Sequence, residues 1–280
     1  MKLKGSLAIL MLAWVAGAQA GSYVNDFQGY TEGQVQLAGG TTTFLTNSFT
    51  NNSIVGVFNS GTWKGYRLSQ DNQTPVVGQS IFQLPDLDPG KAITSFTATF
   101  DLLVKNDKAE PADGFSLTFG SLNTDPNQDG QEFERGALAS SGSALAVTFI
   151  TWTSSNPNRY VGAQLNTTGF GSNIAPANNV PIYIAPDISA DKFRNVTVNY
   201  STTAGLSVSY GGNTVYNNTS IAGFTPQAGY TFGLAARTGG QDEDLFIDNI
   251  NISTIPEPGV AGLVVLGVVA GAIARWRRRV

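Results

Sequence analysis

Two short runs in this chain have residue types and spacings that could do chemistry. Asp125-Pro126-Asn127-Gln128-Asp129-Gly130 sets oxygen ligands at alternate positions ahead of a glycine, the pattern of the first half of a calcium loop. Asp125, Asn127 and Asp129 are its candidate ligands. The twelfth position is Gly136 rather than a glutamate, so a complete EF-hand is excluded. Glu132 or Glu134 would have to finish the shell in another geometry, and a solvated acidic turn is the simpler reading. Glu132 and Glu134 also have the i, i+2 spacing that puts two carboxyls on one strand face. A retaining glycosidase needs such a pair about 5–5.5 Å apart, but no third acid accompanies this one. Asp242-Glu243-Asp244 reads as a solvated acidic loop.

Other chemistries are closed by composition. The 280 residues include no histidine and no cysteine. That removes Ser-His-Asp catalysis, thiolate nucleophiles, disulfides and imidazole or thiolate metal sites. An enzyme would have to work with carboxylates, Lys, Tyr or an oxygen-bound cation.

The elements that must position these residues read as strands. Phe96, Ala98, Phe100, Leu102 and Val104 alternate with Ser95, Thr97, Thr99 and Asp101. The same period of two recurs in Phe115, Leu117 and Phe119, in Val196, Val198 and Tyr200, and in Leu206, Val208 and Tyr210. Phe246, Ile250 and Ile252 share a parity, which predicts one common buried face. Turn clusters such as Gly211-Gly212-Asn213 separate the runs. One-sided alternation predicts an all-β jelly-roll sandwich of two antiparallel sheets.

The ordered segments of this body resemble the concanavalin A-like, legume-lectin-type sandwich. Tyr66-Arg67-Leu68-Ser69 and Val77 to Phe82 look like its paired early strands. Ala112-Asp113-Gly114-Phe115 is similar to the family's Ala-Asp-Gly loop, and Ala146 to Trp152 stands at its long central strand. Phe232 to Gly240 and Ile247-Asp248-Asn249 resemble its closing loop and last strand. The resemblance implies a saccharide site in which Asp113 accepts paired hydroxyls and Gly114 allows close approach. The Thr238-Gly239-Gly240 loop would offer backbone donors, and Asn156 an amide. A plain hairpin turn at Asp113-Gly114 is the competing reading. The resemblance also implies a calcium and transition-metal pair on the central strand. Its two carboxylate positions are Thr148 and Ile150 in this sequence, which cannot supply that chemistry. Calcium remains an expectation only through the Asp125 run. The central strand has no carboxylate, so the expectation is a protein that is not an enzyme. Association with polysaccharide comes first, a structural protein without a specific ligand second, and a glucanase-like glycosidase last.

Both ends read as processing segments. Lys2 and Lys4, the apolar stretch Leu7 to Gly17 and Ala18-Gln19-Ala20 make a secretory signal peptide over 1–20, cut between Ala20 and Gly21. A retained anchor is the alternative, but the apolar run is short for a ~20-residue span. Residues 255–280 hold Pro256-Glu257-Pro258, the apolar run Val260 to Ala274, then Arg275, Trp276, Arg277, Arg278 and Arg279. As a helix that run covers about 22 Å of a ~30 Å hydrocarbon core, a marginal anchor with its arginines on the cytoplasmic side. The trio of motif, helix and arginine cluster resembles the PEP-CTERM sorting signal. That implies Sec export, a transient inner-membrane anchor and cleavage by an exosortase-type transpeptidase. It also implies delivery to the surface or polysaccharide matrix of a Gram-negative-type bacterium; a plain anchor is the alternative. The body between, 21–254, keeps ten basic and nineteen acidic side chains, a formal charge of −9. Nucleic acid is therefore not an expected partner.

Overall fold

A computed structural model describes residues 20–37, 42–45, 55–70, 78–106, 110–122, 132–136, 143–152, 159–166, 172–239, 241 and 243–257. Among them sixteen strands occur. They are β1 (Ser22–Asn25), β2 (Thr42–Leu45), β3 (Gly56–Asn59), β4 (Lys64–Ser69), β5 (Gly78–Gln83), β6 (Ile93–Lys105), β7 (Gly114–Gly120) and β8 (Ala144–Ile150). There follow β9 (Val161–Asn166), β10 (Ser172–Ile174), β11 (Ile184–Ala185), β12 (Arg194–Ser201), β13 (Gly205–Tyr210), β14 (Asn213–Thr219), β15 (Thr231–Thr238) and β16 (Asp244–Pro256).

The strands form two sheets. One runs β14-β13-β12-β6-β16-β4-β3, with β1 added to β16 and β11 to β6. The other runs β10-β9-β8-β7-β15-β5-β2. Among the described strands all pairings are antiparallel except β11 with β6, a parallel contact at Ile184↔Val104 and Ala185↔Lys105. This is the expected two-sheet all-β architecture.

Alternation explains why the sheets face each other. Phe96, Ala98, Phe100, Leu102 and Val104 of β6 all enter one core with Phe115, Leu117 and Phe119 of β7 and Phe232 and Leu234 of β15. Phe96 crosses between the sheets, its ring 5.0 Å from both Phe119 and Phe232. Each such ring contributes about 1.5–3 kcal/mol by leaving water, and edge-to-face contacts add to that.

One expected face is wrong. Ile250 and Ile252 lie in the main core, but Phe246 lies on the opposite side of β16, clustered with Leu103 and Ala185. The register of β16 against β6 shifts between Asp248 and Asn251, where Asn249 has φ 50°. An extra residue at such a bulge reverses the parity of everything beyond it. Phe58, Trp63, Tyr183, Ile188 and Phe193 complete this smaller cluster, and the Trp63 indole donates to the Ile188 carbonyl at 2.7 Å.

The last strand continues two residues past Thr254, the expected edge of the body. Pro256 pairs with Ile93, and the Glu257 N–H donates to the Ala92 carbonyl at 2.8 Å. Among the described residues no helix is long and apolar enough to cross a membrane. The expected N-terminal leader up to residue 19 and the run Val260 to Ala274 lie outside those residues, as do Pro258, Arg275, Trp276 and Arg277 to Arg279.

Candidate functional site

Three strand ends of the seven-stranded sheet meet at Gly114. It stands opposite Arg237 of β15 on one side and Ile150 of β8 on the other. Asp113, one residue before β7, is pinned by its backbone to both neighbours. Its N–H donates to the Arg237 carbonyl at 2.9 Å, and its own carbonyl accepts from Thr151 at 3.0 Å and Trp152 at 3.3 Å. The Ala112–Asp113 peptide is cis. Gly239 lies against the Asp113 side chain: a Cβ there would stand 2.7 Å from Oδ2 and 3.0 Å from Oδ1. The Asp-Gly loop and the Thr-Gly loop, 125 residues apart in sequence, are thus one place in the fold.

The glycine and the threonine there are both held against neighbouring strands. At Gly114, with φ 140°, a Cβ would stand 2.3 Å from the Phe149 carbonyl. The missing side chain makes room for the neighbouring strand. Thr238 is only 2% exposed and lies inside. Asn156, Gly240, Asp125, Asn127 and Asp129 fall outside the described residues.

A short turn of 3-10 helix, Phe133–Arg135, covers the outer face of the sheet beside Asp113. Phe133 packs on Ile81 and Ala235. Its N–H donates to Gln79 Oε1 at 3.1 Å, and its carbonyl accepts from the Ser116 hydroxyl at 2.5 Å. This anchored turn brings charge to the site. Arg237 Nη1 lies 2.9 Å from Asp113 Oδ2, 3.4 Å from Glu134 Oε1 and 3.9 Å from Glu132 Oε1. Arg135 Nε reaches Glu132 Oε2 at 2.5 Å and Glu134 Oε1 at 3.8 Å. Glu132 and Glu134 therefore do not share a strand face; they converge on two guanidinium groups.

Burial sets the protonation of this network. Glu134 is 3% exposed, and desolvation pushes its carboxyl up to about 8, against the pull of Arg237. Desolvation also raises Asp113, again opposed first by Arg237. Glu134 is therefore protonated at neutral pH, which leaves Asp113 and Glu132 as the other acidic side chains beside the two guanidinium groups.

Glu243 corrects a second expectation. The Asp242-Glu243-Asp244 run was expected to be solvated, yet Glu243 is 0% exposed and Asp244 8%. Burial pushes the Glu243 carboxyl up to about 8, with the Thr151 hydroxyl and Arg159 pulling it down and Asp113 adding to the rise. Asp244 sits 3.6 Å from Lys105. Asp242 lies outside the described residues.

Beside the network an open cleft of about 270 Å³ runs along β8 and β9, lined among others by Arg135, Thr148, Ile150, Tyr160, Gln164 and Tyr216. Thr148 and Ile150, the expected metal positions, both face it. A hydroxyl and an alkyl group beside a guanidinium do not fit a calcium ion, which takes six to eight oxygen ligands. Among the described residues no group of three or more His, Cys, Asp or Glu side chains could hold a metal ion.

Sequence reasoning missed Arg237 and the buried states of Glu134 and Glu243. Arg237 was findable: it has the same parity as Gly233 and Ala235 in β15 and lies two residues before Gly239. The burial of Glu243 carried no local signal, because an acidic triplet ordinarily marks solvent.

Comparison with known proteins bears on the fold. No family model matches the sequence, and no curated protein matches it. Solved structures do. The chain is similar to the Emp47p carbohydrate recognition domain, with 11% identity, a TM-score of 0.52, and 83% of this chain and 94% of that one covered. The VIP36 exoplasmic/lumenal domain in its Ca2+/Man-bound form gives 14%, 0.54, 82% and 88%. Lectin UEA-II complexed with galactose gives 14%, 0.51, 83% and 98%. The architecture is a lectin-type, legume-lectin-like β-sandwich.

Proposed function

We infer that this chain is an exported, non-enzymatic lectin-like module that associates with extracellular polysaccharide. The single observation that carries the reading is the Asp113 carboxylate, held rigidly at the meeting of three strand ends with Gly239 against it. A fixed carboxylate, joined through Arg237, Glu132 and Arg135 to the wall of an open, amide- and tyrosine-lined cleft, suits hydroxyl-rich ligands. Similarity to carbohydrate-binding neighbours supports the same reading by analogy of fold. Thr148 and Ile150 speak for binding that does not depend on calcium. The leader 1–20, cut after Ala20, and the tail 255–280 complete the reading. Export is followed by a transient membrane anchor and by exosortase-type processing near Pro256-Glu257-Pro258.

A purely structural surface protein is the second reading, favoured by one observation: the Arg237 ion pair already occupies Asp113 Oδ2. Glycan-array binding of the secreted chain separates the two, with and without calcium and alongside Asp113→Asn. Binding that survives chelation and is lost in the variant is the expected result. No binding to any glycan, the host's own exopolysaccharide included, selects the structural reading.

A further inference from the structure

The first residue after the expected cleavage point sits in a built site at the far edge of the nine-stranded sheet. Gly21 lies opposite Thr254, one position before the pair Ser22↔Ser253. Its N–H donates to Thr254 Oγ1 at 3.1 Å, and its carbonyl accepts from the Thr254 N–H at 3.0 Å. No side chain fits at this position, since a Cβ would stand 2.1 Å from the Leu87 carbonyl oxygen. The Thr254 hydroxyl in turn donates to Asp88 Oδ2.

Asp88 is the unexplained member. It is 4% exposed, and among the described residues no lysine or arginine pairs with it. A buried carboxylate without a cation is costly. The ionisable side chains nearest to it in the chain do not remedy this. Asp86 accepts the Asp88 N–H at 3.0 Å, and Lys91 meets Asp88 only through its backbone, at 3.0 Å. Glu257, one residue past the end of β16, is another acidic side chain. Among the described residues the geometry offers one source of positive charge. Cleavage between Ala20, which is exposed, and Gly21 turns the Gly21 amide nitrogen into an α-ammonium one hydroxyl away from Asp88.

We propose that Asp88 and Thr254 form a receptor for the chain's own processed N-terminus, binding the Gly21 α-ammonium. Hydrolysis of the Ala20–Gly21 peptide adds one water, leaving a carboxylate on Ala20 and an ammonium on Gly21, so the site is completed only by processing. Because Thr254 lies two residues before Pro256, the same contact ties the mature N-terminus to the end of β16. The tail that carries the second processing signal starts there. This rests on the export reading given above, specifically on cleavage after Ala20.

The test uses the full-length chain exported in a Gram-negative host, with intact mass and N-terminal sequencing first. Competitive acetic anhydride labelling across pH, read on the N-terminal peptide, then gives the α-amine titration. An α-amine ordinarily titrates at about 7.7–8.0. In this chain it is expected about one unit or more higher, because a neighbouring carboxylate favours the charged form. Asp88→Asn should return it to the ordinary range. If that variant does not fold, a single serine inserted after Ala20 moves the new terminus by one residue and leaves the body intact. Its α-amine should titrate ordinarily, with a lower urea midpoint than the native chain. A chain that begins at Gly21 with an ordinary α-amine overturns the proposal alone. A chain that begins elsewhere overturns the cleavage reading and the proposal with it.

Discussion

Arg237 and Asp113 meet twice. The Arg237 carbonyl accepts the Asp113 N–H at 2.9 Å, and the Arg237 guanidinium lies 2.9 Å from Asp113 Oδ2. Strand pairing and charge pairing therefore fix the same residue. The same guanidinium also lies 3.4 Å from Glu134 Oε1. Arg237→Met should destabilise the fold by roughly 2–4 kcal/mol at pH 7. That is the lower part of the range for breaking a buried pair, because Arg237 keeps some contact with water. The loss should shrink at pH 3, where protonation of Asp113 removes the charge that Arg237 compensates; Glu134, at about 8, is already protonated at pH 7. Urea midpoints at both pH values measure it. An equal loss at both would mean that the charge is not what matters.

The two buried glutamates set a pH dependence. Glu134 and Glu243 both titrate at about 8 in the fold, well above an unfolded glutamate at about 4.3. Their stabilising contribution is fully present below the unfolded value and is lost as pH rises through about 8. Above that the folded chain holds the additional buried charges. Glu243→Gln and Glu134→Gln should match the native chain near pH 4. At pH 9 each should exceed it, by at most a few kcal/mol. Thermal midpoints from pH 4 to pH 9 check this, and parallel curves for variant and native chain would refute it.

Two glycines at the site should separate folding from binding. Gly114→Ala meets the Phe149 carbonyl and keeps φ at 140°, so both backbone strain and overlap oppose it. A loss of about 3 kcal/mol or more is expected, with little folded protein secreted. Gly239→Ala meets first the Asp113 carboxylate, a side-chain group rather than backbone, which must leave its Arg237 pair to make room. It should cost about 1–2 kcal/mol while displacing Asp113 and abolishing saccharide binding. Circular dichroism with the glycan array distinguishes these outcomes. Gly239→Ala that folds and binds normally would remove Asp113 from the site.

How much of this was legible depended on whether the signal was local. The alternation of Phe96 to Val104 is a property of adjacent residues, and the fold keeps it. So is the resemblance of Ala112-Asp113-Gly114 and Thr238-Gly239, whose joining at one place follows from the order of strands. Phe246 was misplaced because a single bulge at Asn249 reverses parity without a compositional mark. Glu243 was misplaced because burial is decided by what covers a residue, here Thr151 at the end of β8 and Ser69 at the end of β4. Ser69 donates to the Glu243 carbonyl at 2.8 Å. Arg237 was overlooked because its partners come from the turn at Phe133 and from Asp113, about a hundred residues away. Charge networks of that kind are written in three dimensions only.

The bulge at Asn249 offers the sharpest check of that distinction. Asn249 holds φ 50°, a conformation that asparagine adopts at modest cost and β-branched residues do not. Its side-chain amide donates to Asp101 Oδ2 at 2.8 Å, and its N–H donates to Asp248 Oδ1 at 2.7 Å. Asn249→Gly should keep the backbone conformation and lose one exposed hydrogen bond, costing about 0.5–1 kcal/mol. Asn249→Val should cost about 1–3 kcal/mol, because the φ itself is disfavoured. If the bulge sets parity, the valine variant should also loosen both faces of β16 at once: Phe246 with Trp63 on one side and Ile250 on the other. Trp63 fluorescence and amide exchange at Ile250 and Ile252 report on the two faces separately. A change confined to one face would show that the bulge is a consequence of packing rather than the device that sets it.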